Sequence, residues 1–136
     1  MTRILMSGNT NIETTVRVDA FPVSYHSGTF VPFGVQTHVS GVGNNVAKAL
    51  ITLGNAVTFT SIIGRDLPAT MIRATLAADG IDDRFVLSQI EQTTQSVALY
   101  DAQGRRRFFT DPKICVNKPI QCRCLGKRSP TALRWC

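Results

Sequence analysis

Apolar and polar positions follow different rhythms along this chain, and each rhythm predicts an element. Arg3–Ser7 (RILMS) reads as a buried first strand, with Gly8 turning out of it. Thr14–Val18 is rich in branched residues and reads as a second strand, broken by Phe21-Pro22. Gly28–Val39 holds Phe30, Val31, Phe33 and Val35 interrupted by Pro32, which predicts one or two edge strands. Val46, Ala49, Leu50 and Leu53 then recur at helical spacing, so this helix is expected to bury that stripe and to stop at Gly54. Val57–Ile63 is an almost unbroken run of apolar residues and threonine, as expected of a parallel strand covered on both faces.

Asp66 can cap the next helix, and Pro68 fits its first turn. Met71, Ile72, Thr75, Leu76 and Ala78 are the expected buried side, with Gly80 as the stop. Phe85-Val86-Leu87 reads as a short strand. Ser96–Tyr100 and Arg106–Thr110 flank Asp101–Arg105, which reads as a hairpin turn. The order of strand, extended segments, helix, strand, helix, strand and hairpin predicts an α/β fold with a mainly parallel sheet.

The stretch with most chemical content is Ser40-Gly41-Val42-Gly43-Asn44-Asn45. Gly41 and Gly43 let another group approach the main chain, and Asn44 or Asn45 can cap the helix that follows. A glycine loop opening into a helix N-terminus can hold a polar or anionic ligand, and it can equally be a tight turn before a packing helix. Gly41-x-Gly43 is also half of a dinucleotide fingerprint. Val46 replaces the third glycine, and the loop does not follow the first strand, which argues against NAD.

In order and spacing, these segments resemble the ribokinase-like (PfkB) carbohydrate kinases over about residues 3–113. Ser40–Ala47 with Leu53-Gly54 resembles the family's first glycine signature and its helix. Gly8-Asn9-Thr10-Asn11-Ile12-Glu13 resembles the substrate turn Gly-x-x-Asn-x-Asp, Gly64-Arg65-Asp66 resembles the Gly-x-Asp strand end, and Gly80-Ile81-Asp82 resembles the family's Gly-Ile-Asp. The resemblance implies the N-terminal part of a ribokinase-like, Rossmann-like domain, with a small β lid from about residues 14–39 and the C-terminal half missing.

It further implies transfer of a phosphoryl group from ATP, with Mg in the intact family, to a hydroxyl of a sugar or nucleoside. By matched position Asn11, Glu13, Gly41, Val42, Gly43 and Asn45 are the implied substrate-binding residues. Short polar side chains suit a polyol, whose hydroxyls both donate and accept. There are departures: Ser40 stands for the usual first glycine, Val42 for a frequent lysine and Glu13 for aspartate. The second signature, a Gly-Ala-Gly-Asp-type loop carrying the catalytic aspartate, is absent. No catalytic residue is therefore assigned, ATP and Mg are not expected to bind well here, and the chain is expected to be inactive alone. Lid strands often pair between subunits in the family, so a dimer through the lid is an open expectation.

Charge and cysteines set the last 23 residues apart. The net charge is +6, of which residues 114–136 carry five Lys/Arg and no acid, while residues 1–113 are close to neutral. All four cysteines and Trp135 lie in the same tail. No Cys-x-x-Cys pair or histidine there supports a metal knuckle. A disulfide-bearing or basic binding tail is one reading, and a frameshift near Lys113 that truncated a longer kinase is the preferred one. A stand-alone sugar- or nucleotide-binding module without turnover, and a basic protein touching nucleic acid through its tail, are the alternative functions; nucleic acid is the less expected partner. No apolar run reaches the ~20 residues of a membrane span, and the N-terminus does not read as a signal peptide, so a cytoplasmic protein is expected. His26 and His38 lack metal-ligand spacing, and His38 is expected to be simply exposed. Arg105-Arg106-Arg107 is expected at a solvated hairpin tip.

Overall fold

The computed structural model describes residues 2–113; the expectations for the basic tail lie outside the described residues. Seven strands and two helices follow in order: β1 (Arg3–Ser7), β2 (Asn11–Arg17), β3 (Val35–Ser40), α1 (Val42–Thr52), β4 (Ala56–Ile63), α2 (Leu67–Ala78), β5 (Asp82–Ser88), β6 (Gln95–Tyr100) and β7 (Arg106–Asp111). They form two sheets. One is parallel, in the order β1-β4-β5; the other is mixed, in the order β3-β2-β6-β7. The mixed sheet contains the segments expected to form a lid, and it is larger than the sequence implied. The hairpin β6–β7 joins it, because β6 pairs parallel to β2 from Ile12↔Gln95 to Arg17↔Tyr100.

The two steps β1 to β4 and β4 to β5 cross the parallel sheet in the same direction. Right-handed crossovers then place α1 and α2 on the same face. The core lies there: Val57, Phe59 and Ile63 of β4 and Val86 of β5 pack with Ala47 of α1 and Ile72 and Leu76 of α2. No described element covers the opposite face, where Leu5 is 65% exposed beside Thr58. β4 is thus central, but it is not covered on both faces by helices, and β1 is an edge strand with no fully buried residue.

α1 buries a different stripe from the one expected, whereas α2 keeps Ile72 and Leu76 of its expected side on the core, with Thr75 half-buried. In α1 the buried residues are Gly43, Asn44 and Ala47, with Leu50 and Ile51 packed against the core; Val46, Ala49 and Leu53 face out. Residue size decides this. A Cβ on Gly43 would lie 2.7 Å from the Gly8 main chain, so only a glycine lets the helix settle onto the turn after β1. Ala47, one turn later, is fully buried. In α2, Ala69, Ile72 and Leu76 are buried while Met71 and Ala78 are exposed.

The ends of α2 and α1 also separate expectation from outcome. Asp66 caps α2 as predicted, its Oδ1 accepting from the Ala69 amide at 3.2 Å. α1 has no side-chain cap. Gly41 occupies that position with φ 104°, so Asn44 and Asn45 lie inside the helix. β2 starts at Asn11, three residues earlier than read, which puts Asn11 and Glu13 on a strand. β3 begins only at Val35, and residues 28–34 are not strand.

The two sheets are joined beyond the core by Thr93. Its hydroxyl donates to Asp66 Oδ1 at 2.6 Å and accepts from the Gly64 amide at 2.9 Å, and its own amide donates to Asp66 Oδ2 at 2.8 Å. Burial works against the Asp66 carboxylate, but these bonds and the Ala69 amide outweigh it and hold its pKa below the ordinary aspartate range. A depressed folded-state pKa stabilises the protein above the unfolded value of about 3.9, and that contribution is lost as pH falls through the folded value. Asp66→Asn should therefore lower stability at neutral pH and flatten its decline below pH ~4, read from urea midpoints across pH. An unchanged acid slope in the variant would refute the role given to this carboxylate.

Close approach at Gly43 generates a second expectation. Gly43→Ala should cost about 1–3 kcal/mol, because the new methyl meets main chain that cannot move aside. Gly28→Ala, where nothing lies within 4 Å and φ is not positive, should stay within about 0.5 kcal/mol of wild type. Chemical denaturation of the two variants in parallel checks the difference.

Candidate functional site

The site grows from the contact between the turn after β1 and the glycine loop before α1. The Asn44 amide donates to the Asn9 carbonyl at 3.3 Å, and the Asn45 amide closes the first turn of α1 on the Gly41 carbonyl at 2.9 Å. A Cβ on Gly41 would lie 2.7 Å from Asn9 O and 3.1 Å from Asn11 Oδ1. The positive φ and the lack of room both require glycine there. Thr10 ties the same turn to the end of β3 by donating from its hydroxyl to the Ser40 carbonyl at 3.3 Å.

Asn11 and Glu13 share one face of β2, two residues apart. Asn11 is buried and donates from Nδ2 to Ser96 Oγ at 2.8 Å, while its Oδ1 is buried without a hydrogen-bond partner. Glu13 Oε2 accepts from the Ser96 hydroxyl at 3.4 Å, and Glu13 Oε1 lies 3.3 Å from His38 Nε2. Registers explain the grouping: Glu13 is opposite His38 on β3 and opposite Ser96 on β6.

The glycine loop and the two β2 side chains thus come together at Asn11 and Gly41. Gly43 serves the packing of α1. Val42 is 72% exposed at the first position of the helix, and Asn45 is exposed, with its Oδ1 3.5 Å from Asn44 Nδ2. Three residues of this region escaped sequence reading. Ser96 was seen only as the start of a strand; the strand alternation that puts Ser96 and Ala98 on one face gives no pairing partner. His38 is half-exposed, but it is paired with Glu13 instead of standing alone. Asn44 was read as a cap; it is 1% exposed, and its Oδ1 has no partner.

Two arginines of the β6–β7 hairpin have partners within the fold. Arg105 in the hairpin loop pairs with the buried Asp101 at 2.7 Å, and Arg107 on β7 lies over the Phe109 ring. Only the first of the three arginines therefore lies in the loop. A cavity of about 560 Å³ opens between residues 89–92 and 111–113, and none of the Asn11, Glu13, Gly41 or Asn45 side chains lines it. No helix among the described residues is long and apolar enough to cross a membrane.

The described residues do not form a site for a Mg ion. No three His, Cys, Asp or Glu side chains gather among them to hold a cation. The nearby carboxylates are engaged, Glu13 with His38 and Ser96, and Asp66 with Thr93 and Ala69. What this region holds is a buried, unpaired amide oxygen, a carboxylate and a hydroxyl, a set suited to neutral polar groups that donate and accept.

Among solved structures, the fold is similar to a microbiome-derived acarbose kinase, with a TM-score of 0.73 and 26% identity, covering 87% of this chain and 39% of that one. It is similar to the nucleoside kinase of Methanocaldococcus jannaschii, with a TM-score of 0.65 and 20% identity over 82% of this chain and 37% of that one. It is also similar to Arabidopsis thaliana ribokinase complexed with ribose and ATP, with a TM-score of 0.64 and 20% identity over 81% and 35%. The chain thus spans well under half the length of these neighbours. A search of curated protein sequences gives no match. The profile of the pfkB family carbohydrate kinases matches residues 1–116, and with the paired sheets and the glycine loop before α1 this places the chain in that family.

Proposed function

We propose that this chain is the sugar-holding N-terminal part of an ATP-dependent carbohydrate or nucleoside kinase, and that it holds its ligand without turning it over. The observation that carries this reading is the buried, unpaired Oδ1 of Asn11 against Gly41, beside the Glu13 carboxylate. A buried acceptor without a donor is costly, and a ligand hydroxyl supplies the missing proton. Asn11, Glu13 and the Gly41 main chain are the proposed substrate contacts, joined by Gly43, Val42 and Asn45 through the same loop.

Phosphoryl transfer needs a base for the acceptor hydroxyl and donors or cations for the phosphate charge. The described residues offer neither a free carboxylate beside Asn11 nor a cation site. Inactivity of the isolated chain follows from that reading; a cytoplasmic setting and a tail, residues 114–136, from a shifted reading frame are separate parts of the proposal. A dimer through the lid strands belongs to the same proposal.

The purified chain, given D-ribose, adenosine or acarbose with Mg-ATP, should release ADP no faster with the sugar than without it. Ligand-observed NMR should still detect binding of at least one of the three, and Gly43→Trp should remove it. Sugar-specific ADP release that Gly43→Trp abolishes would show an intact enzyme and overturn the claim of inactivity. Absence of all binding would overturn the sugar site.

A further inference from the structure

The direction of one hydrogen-bonded relay in the lid is set by proton count. Ser96 is 5% exposed on β6, with its hydroxyl between Asn11 Nδ2 and Glu13 Oε2. His38 occupies the other Glu13 oxygen. A carboxylate can only accept, so the single Ser96 proton goes to Glu13. The Ser96 oxygen is then left to accept, and Asn11 must turn its NH2 toward it. A carboxamide has two ends, so the same constraint turns Oδ1 the other way, toward Gly41. That oxygen is buried and unpaired.

We infer that Ser96 is a positioning residue for the ligand site: through Glu13–Ser96–Asn11 it holds the Asn11 carboxamide so that Oδ1 accepts a proton from a ligand hydroxyl. This rests on the sugar-site reading and adds a polarity to it. A ligand that presents a donor at this point is bound, and one that presents only an acceptor meets Oδ1 and is rejected. Without the Ser96 hydroxyl the constraint that turns the Asn11 NH2 toward β6 is lost, and the orientation that shows the ligand an NH2 becomes available.

The test uses the full chain and its Ser96→Ala and Ser96→Thr variants, with D-ribose and adenosine as probes. In the ligand-free wild type, the Asn11 side-chain NH2 should exchange slowly with solvent in ¹⁵N NMR. Ser96→Ala should lose that protection and weaken binding of the probes about tenfold, while Ser96→Thr should keep the protection and bind within about threefold of wild type. Unchanged Asn11 protection in Ser96→Ala overturns the inference, as does equal weakening in both variants. If the wild type binds and Ser96→Ala binds equally well, the positioning role falls and the sugar site stands. If the wild type binds neither probe, the sugar site falls and the inference with it.

Discussion

The contact of two glycines, Gly8 after β1 and Gly43 in the first turn of α1, is the constraint on which this structure turns. Their main chains approach so closely that a Cβ on either would sit 2.7 Å from the other's backbone. The contact fixes where α1 begins, and it selects the buried stripe as the one bearing Gly43, Ala47 and Ile51. It also brings the Asn9–Asn11 segment against Gly41, so the first strand of the lid leaves the parallel sheet with Asn11 already facing the loop. Site and scaffold share one set of atoms here.

The parallel sheet is one-sided among the described residues, and that follows from topology. Two right-handed crossovers in the same direction can cover only one face. The other face keeps Leu5 in solvent, and the outer side of α1 keeps Val42 and Leu53 there as well. Surfaces of this kind are ordinarily covered by further layers in α/β folds. The neighbours are more than twice as long as the part matched here, so they hold chain enough to supply one.

Much of this was legible in the sequence, for identifiable reasons. β4 declared itself by six branched or apolar residues among the seven of Val57–Ile63, α2 by Asp66, Pro68 and Gly80, and the β6–β7 hairpin by two strands about a polar turn. The buried face of α1 was misread because both of its stripes are apolar; periodicity ranks hydrophobicity, whereas the packing was decided by small size at Gly43. The start of β2 was misread because Asn11 and Glu13 are poor strand formers held there by pairing with Ser40 and His38. Of the site, the loop glycines and Asn11 carry a motif. Ser96 and His38 do not, because their place is given by register across the sheet, and register appears only when the chain is folded.

A second junction completes the geometry. Thr93 enters the lid beside Asp66, which caps α2, and beside Gly64, which ends β4. The lid is therefore pinned at two places, by the Gly8–Gly43 contact on β2 and by the Thr93–Asp66 bonds before β6. β2 and β6 are neighbours in the lid and pair in parallel. Two anchors on adjacent parallel strands fix their register at its base, where Ile12 donates to the Thr94 carbonyl. Glu13 opposite Ser96 is the next step of that register. The relay between these side chains is thus set by where the two strands are fastened, and its polarity by the one proton that a serine can give.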